Sequence, residues 1–331
     1  VEEIHGVVGA GESRLWRGSS RPLVGLFFLA AVVAIVWHLG DVRRFVQLLR
    51  DARPLWLCVA VAFQTVTYAC AGTIWWVVFH RAGSPQRLRT LSFLSVGKVF
   101  TDQAFPSGGI AGDLFMLRAL TRRSTPRPLG IAAVVVTLLG FYAALIASMV
   151  VSLLHLWMHG NVGPVLLVMT VVLLLLALAV SSILFLLVRG RRGGVQDWLS
   201  RFGPSRVVVE SFAQAPRDTI RDAPSLAGSV ALQLAIVVLD AATLWATLSA
   251  VGEHVPAGSV FASYVFAKIA EITGMVPGGL GTFEGTCVAL LHVSGVSFEA
   301  ALAATLLLRG FTFWLPMLPG LLVVRRELVH R

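Results

Sequence analysis

Charge is scarce in this sequence. Only 13 % of its 331 residues are Asp, Glu, Lys or Arg, against about 25 % in soluble domains. That deficit excludes most water-soluble folds. It also excludes a soluble nucleic-acid binder, which needs a polar surface that the chain does not have, and no nucleic-acid partner is expected. Lysine is nearly absent: Lys98 and Lys268 stand against 25 arginines. Cysteine is scarce too. Cys58, Cys70 and Cys287 lie in apolar segments and form no CxxC pair. Neither a zinc site nor a disulfide framework is signalled, so no metal and no cofactor are expected. What the chain has in quantity is apolar surface. Hydrophobic residues make up 56 %, the mean hydropathy is +0.81, and the net charge is +10. This is the composition of an all-α integral membrane protein whose arginines sit mostly in loops.

A spanning helix needs about 20 predominantly apolar residues. Six stretches qualify: Pro22 to Leu39, Pro54 to Phe79, Pro128 to Trp157, Pro164 to Val188, Ser225 to Val251, and Phe298 to Val324. The first lacks a small-residue cleavage site and reads as a retained helix rather than a signal peptide. Two further stretches, 91–120 and 259–292, are broken in the middle by Phe105-Pro106-Ser107-Gly108-Gly109 and by Val276-Pro277-Gly278-Gly279-Leu280-Gly281. Proline removes an amide donor and glycine weakens a helix. Each half has about 15 residues, which fits a hairpin that enters and leaves by one face. Pro106, Gly108, Gly109, Pro277, Gly278, Gly279 and Gly281 are the expected hinges.

Loop charges test this layout. Arginines cluster at 14–21, 81–89, 118–127, in the 189–224 loop and at 325–331, while the turns near Gly160, Glu253 and Ser297 carry none. Six spans and two re-entrant hairpins put all of these basic segments on one side, with both termini cytoplasmic. The segment Asp41 to Arg53 disagrees: its four arginines fall on the other side. Val42, Phe45, Val46 and Leu49 share a face there, as in an interfacial helix.

The chain also repeats itself. At an offset of 170 residues Lys98 falls on Lys268, and Gly108-Gly109 on Gly278-Gly279. The whole is expected to be one membrane domain. Its first repeat is 22–157 with hairpin 91–120, and its second is 164–324 with hairpin 259–292. Three crossings per half is odd, so the halves are inverted, the arrangement of many secondary transporters.

A charge near the bilayer centre costs about 2.5–3.5 kcal/mol on insertion scales, so it faces a cavity or a partner. The candidates are Lys98, Asp102, Asp113 and Arg118 in the first hairpin, Lys268, Glu271 and Glu284 in the second, and Asp240 and Arg309 in ordinary spans. Mutual neutralisation, Arg309 with Glu284 or Asp240 and Lys98 with Asp102, is the structural alternative to a binding role. The functional reading has the cations and the amides freed at the glycine breaks attracting an anionic head group. Gly279-Leu280-Gly281 follows no strand, so it is not a dinucleotide fingerprint. His155 and His159 lack a third ligand and read as interfacial.

Pro106-Ser107-Gly108-Gly109-Ile110-Ala111-Gly112-Asp113, followed by Arg118, resembles the first motif of the lysylphosphatidylglycerol synthase/flippase transmembrane family. Pro277-Gly278-Gly279-Leu280-Gly281-Thr282-Phe283-Glu284-Gly285 resembles its second motif. Arg309 with Phe311 to Pro316 resembles its last helix. The resemblance implies a multi-pass protein of the bacterial cytoplasmic (inner) membrane that moves lipids or lipid-linked compounds between leaflets. It carries over to Asp113, Arg118, Glu284 and Arg309. It leaves the lipid open among anionic, aminoacylated, hopanoid and polyprenyl-linked kinds. The aminoacyl-transferase domain fused to this region in some members is not in this sequence, so a flippase rather than an enzyme is expected. The alternatives are a lipid-binding accessory or scaffold protein and an intramembrane enzyme using Glu284 and Asp113 as acid and base. Small-residue pairs on the spans suit packing within one chain or in a homo-oligomer.

Overall fold

The computed structural model describes residues 50–105, 110–158, 216–273 and 276–329. The expected spans 22–39 and 164–188, the segment 41–49, most of the 189–224 loop, His159 and the Pro106–Gly109 break lie outside the described residues. Every regular element among the described residues is helical.

In chain order these are α1 Pro54–Arg81, α2 Leu88–Ala104, α3 Ile110–Thr121, α4 Arg127–Met158, α5 Arg217–Arg221, α6 Ala223–Ala250, α7 Ala257–Thr273, α8 Thr282–Val293, α9 Phe298–Arg309 and α10 Leu315–Val329. A 3-10 turn, Pro277–Gly279, precedes α8, and a π turn, Gly310–Trp314, joins α9 to α10. Among the described residues, four helices are long and apolar enough to cross a membrane: 54–81, 127–158, 223–250 and the continuous run 298–327. They coincide with four of the six stretches read as spans.

The ends of these helices follow from local chemistry. Proline stands in the first turns of α1 and α6, where no amide partner is lost. Asp222 caps α6, its carboxylate accepting from the Ser225 amide at 3.1 Å and hydroxyl at 2.6 Å. Ser297 caps α9 through the Ala300 amide at 3.4 Å. Between helices, small residues let backbones approach. A Cβ on Gly140 of α4 would lie 2.2 Å from the Ser229 hydroxyl of α6, and one on Gly320 of α10 would lie 2.4 Å from Phe100 of α2.

Element lengths recur along the described residues. Helices of 28, 17, 12 and 32 residues (α1 to α4) are followed by helices of 28, 17 and 12 residues (α6 to α8) and then the run 298–329. Corresponding helices start 169 to 172 residues apart. Packing partners are exchanged between halves: α1 lies along α6, α2 packs on α10, and α7 packs on α4.

Contacts between helix ends order the bundle. At one end Arg81 Nε meets Asp222 at 2.6 Å, Gln86 donates to Thr125 at 3.3 Å, and Arg123 donates to Glu327 at 2.7 Å. At the other, the Arg53 amide donates to the Ala250 carbonyl at 2.9 Å and His155 lies against Gly258. The pair α2–α3 therefore has both outer ends at the first end. The pair α7–α8 has both at the second. The first end gathers Arg81, Arg87, Arg122, Arg123, Arg127, Arg325 and Arg326, while Arg53 lies at the opposite one. The disagreement at 41–53 thus persists where it is described.

The Arg81 guanidinium, aided by Ser225, holds the Asp222 carboxyl below the usual carboxylate range. A depressed native pKa stabilises above the ordinary value and loses that stabilisation as pH falls through the native one. Asp222→Asn is expected to lower the thermal midpoint in detergent at neutral pH. Its difference from the unsubstituted protein should close on acidification into and below the carboxylate range.

Candidate functional site

A cavity of about 240 Å³ lies between α1, α2, α4, α6, α7 and α9. Six of the nine charged candidates line it: Lys98, Asp102, Asp240, Lys268, Glu271 and Arg309. Their depth is common. Lys98, Lys268 and Arg309 stand ten or eleven residues after the starts of α2, α7 and α9, and Asp240 stands ten before the end of α6. At a rise of 1.5 Å per residue that is about 15 Å, half the thickness of a hydrocarbon core.

In the first half Lys98 bridges two carboxylates, Asp102 at 2.8 Å and Asp113 at 3.0 Å. Asp102 also accepts from the Gly112 amide at 2.8 Å, tying α2 to the first turn of α3. A Cβ on Gly112 would fall 2.4 Å from that carboxylate, so only glycine fits there. Asp113 is buried behind Lys98 and is 3 % exposed. Arg118 is exposed near the C-terminal end of α3 and takes no part in the cluster.

In the second half Arg309, 3 % exposed, organises the site. Its Nε donates to Glu284 at 2.6 Å, Nη2 donates to the Gly278 carbonyl, and Nη1 lies 3.9 Å from Glu271. The guanidinium carbon sits 4.8 Å from the ring centroids of both Phe283 and Phe313, a cation–π sandwich. Lys268 pairs with Glu271 at 3.1 Å. Gly278, Gly279 and Gly281 have φ of 61°, 60° and 89°, and a Cβ on Gly279 would meet Glu271 at 2.4 Å.

One expectation is corrected here. Two amides of the second break, those of Gly279 and Gly281, are not free for an anion. The Gly281 amide donates to the other oxygen of Glu284 at 2.6 Å, and the Gly279 amide donates to the Val276 carbonyl at 2.9 Å. A carboxylate three residues into α8 satisfies the turn internally. Arg309 is likewise committed to internal partners. The equivalent turn of the first half lies outside the described residues.

Asp240 is held differently. Its Oδ1 accepts from Gln64 Nε2 at 2.8 Å and Thr67 Oγ1 at 3.4 Å, and its Oδ2 accepts from the Tyr264 hydroxyl at 2.7 Å. Among the described residues, no cationic side chain comes within ion-pairing distance of it.

Reasoning from formal charge alone overlooked Gln64, Thr67, Tyr68, Gln103 and Tyr264. Gln64 was detectable as an amide deep in an apolar span. Tyr68 and Gln103 hold the π turn, donating to the carbonyls of Phe311 at 3.0 Å and Thr312 at 2.9 Å. Such turns free carbonyls and cluster at functional sites.

Residues 23–320 match the lysylphosphatidylglycerol synthase TM region. The chain belongs to this family. A search of curated proteins returns no match. Of the residues that carry the likeness to the family, Asp113, Glu284 and Arg309 sit in the buried network, and Arg118 stands apart from it.

Removing one partner of a buried pair costs about 3–5 kcal/mol, because the other charge is left without compensation. Arg309→Ala is expected to destabilise by that order in chemical or thermal unfolding. Arg309→Lys should recover only part, since one ammonium cannot reach Glu284 and the Gly278 carbonyl while stacking between two rings. Gly279→Ala should cost at least about 1–2 kcal/mol for the left-handed backbone, with the Glu271 clash added, in the same measurement.

Proposed function

We propose that this member of the lysylphosphatidylglycerol synthase TM family moves a lipid or lipid-linked compound between leaflets of the bacterial cytoplasmic membrane. The observation that carries this reading is the charged cavity, whose ionisable side chains stand about 15 Å from the helix ends and which is lined in part by α2 and α7, the first limbs of two helix pairs that start from opposite ends of the bundle. Those pairs act as re-entrant hairpins within an inverted repeat of six spans, and the arginine-rich end with both termini faces the cytoplasm. The head group crosses through the cavity while the acyl or prenyl tails stay in the hydrocarbon.

With Arg309 engaged by Glu284, the cations left to meet an anionic head group are Lys98 and Lys268, whose side chains are 22 % and 32 % exposed. An ammonium is a compact charge on a flexible stem and can exchange a carboxylate for a phosphate. Asp102 and Glu271 then act as the resting counter-charges of the two lysines.

One observation favours a lipid-binding accessory role as the second reading: the Arg309–Glu284 pair is saturated by internal partners, as a purely structural pair would be. The enzymatic alternative has less support, because Asp113 and Glu284 stand behind Lys98 and Arg309 instead of facing the cavity.

Purified protein reconstituted in liposomes with a fluorescent anionic phospholipid separates these readings. The protein is expected to speed transbilayer movement over empty liposomes. Lys98→Gln with Lys268→Gln should slow it about tenfold, the equivalent of about 1.4 kcal/mol. Lipid that co-purifies but never crosses faster than in empty liposomes would favour the accessory role.

A further inference from the structure

The charges of the cavity network do not balance. Lys98, Lys268 and Arg309 face five carboxylates: Asp102, Asp113, Glu271, Glu284 and Asp240. Four of these are held by groups that can only donate. Asp102 has the Lys98 ammonium and the Gly112 amide, and Asp113 has Lys98. Glu284 has Arg309 and the Gly281 amide, and Glu271 has Lys268. An obligate donor stabilises the carboxylate and has nothing to accept a carboxyl proton with.

Among the described residues, Asp240 has no such partner. Its neighbours Thr67 and Tyr264 are hydroxyls, and Gln64 is an amide with both a donor and an acceptor end. Each hydroxyl can turn from donor to acceptor by rotating. The Gln64 amide nitrogen also donates to the Thr243 hydroxyl at 3.0 Å, which in turn donates to the Leu239 carbonyl at 2.8 Å, so this amide stays a donor. The shell holds the carboxylate, and its two hydroxyls can accept the proton of the carboxylic acid.

The surrounding groups agree. From α1 the titratable neighbour is Tyr68, whose hydroxyl is spent on the Phe311 carbonyl. From α7 come Lys268 and Glu271, already paired with each other. From α9 comes Arg309, paired with Glu284. From α4 the cavity receives Thr137 and Phe141, which do not titrate, and across it Lys98 is paired with Asp102.

We infer that Asp240 is a proton-binding site of the cavity, taking a proton from cavity water to become a neutral carboxylic acid and returning it to water. Protonation removes one negative charge from a wall that also carries Lys268. It therefore favours an anionic head group in the cavity, and by linkage the head group favours the proton. This coupling rests on the lipid-moving reading; the proton site itself does not.

Two experiments test the two halves separately. Infrared difference spectroscopy of the purified full chain on acidification is expected to show the C=O stretch of a protonated carboxyl. That band should be lost in Asp240→Asn and shifted in Asp240→Glu. A band unchanged in both variants overturns the assignment. In liposomes containing fluorescent anionic phospholipid, an imposed pH gradient is expected to change the rate of lipid movement severalfold. In Asp240→Asn the ratio of rates with and without the gradient should fall to one, whatever the absolute rate. A ratio that stays at the unsubstituted value overturns the coupling. An Asp240-dependent band in a protein that moves no lipid would support the proton site and remove the lipid-moving reading.

Discussion

Arg309 is 3 % exposed in the last span, and the inner architecture follows from how it is neutralised. Its Nε is used by Glu284, Nη2 by the Gly278 carbonyl, and its two faces by Phe283 and Phe313. These partners come from the start of α8, the glycine break and the π turn, so one guanidinium fastens α9 to α8 and to the break before it. The break must pass close to the arginine, which is why it is built of glycines at positive φ. The π turn begins at the next residue. It places Phe313 on the guanidinium and turns the carbonyls of Phe311 and Thr312 toward Tyr68 of α1 and Gln103 of α2. The first half is thus attached to the second through carbonyls freed by the distortion.

The two halves repeat their helices without repeating their charge chemistry. In the first, a single lysine holds both acids of its folded-back pair. In the second, arginine from the last helix takes over Glu284 and approaches Glu271, leaving Lys268 with one close partner at 3.1 Å where Lys98 has two. The first pair neutralises its own acids, and the second draws its arginine from a helix outside the pair.

Much of this was legible in the residues because hydrophobic length and rare charges are strong signals in a membrane chain. Four membrane-length helices lie where apolar runs put them, and the pairing of Arg309 with Glu284 was one of two arithmetically open choices. Three things were less visible. The π turn has no composition of its own, since Gly310 is an ordinary span glycine. The occupied Gly281 amide was readable from the Glu284 three residues on, but only if a capping arrangement is looked for inside a membrane segment. Gln64 and Tyr264 carry no formal charge, so a search by charge passed over the two side chains that hold Asp240 at 2.8 and 2.7 Å.

The scarcity of lysine acquires a physical sense in this light. With 25 arginines available to the chain, lysine is kept for Lys98 and Lys268. Guanidinium is planar and permanently charged, and its fixed fork rewards contacts that do not change: Arg81 with Asp222, Arg123 with Glu327, Arg309 with Glu284. Ammonium presents rotatable donors on a flexible stem, and it loses less when one oxygen replaces another. Both lysines line the cavity, and both hold a carboxylate on their own helix within one turn. An arginine at either place would lock the wall as Arg309 locks the break. A lysine leaves it able to trade one oxygen partner for another.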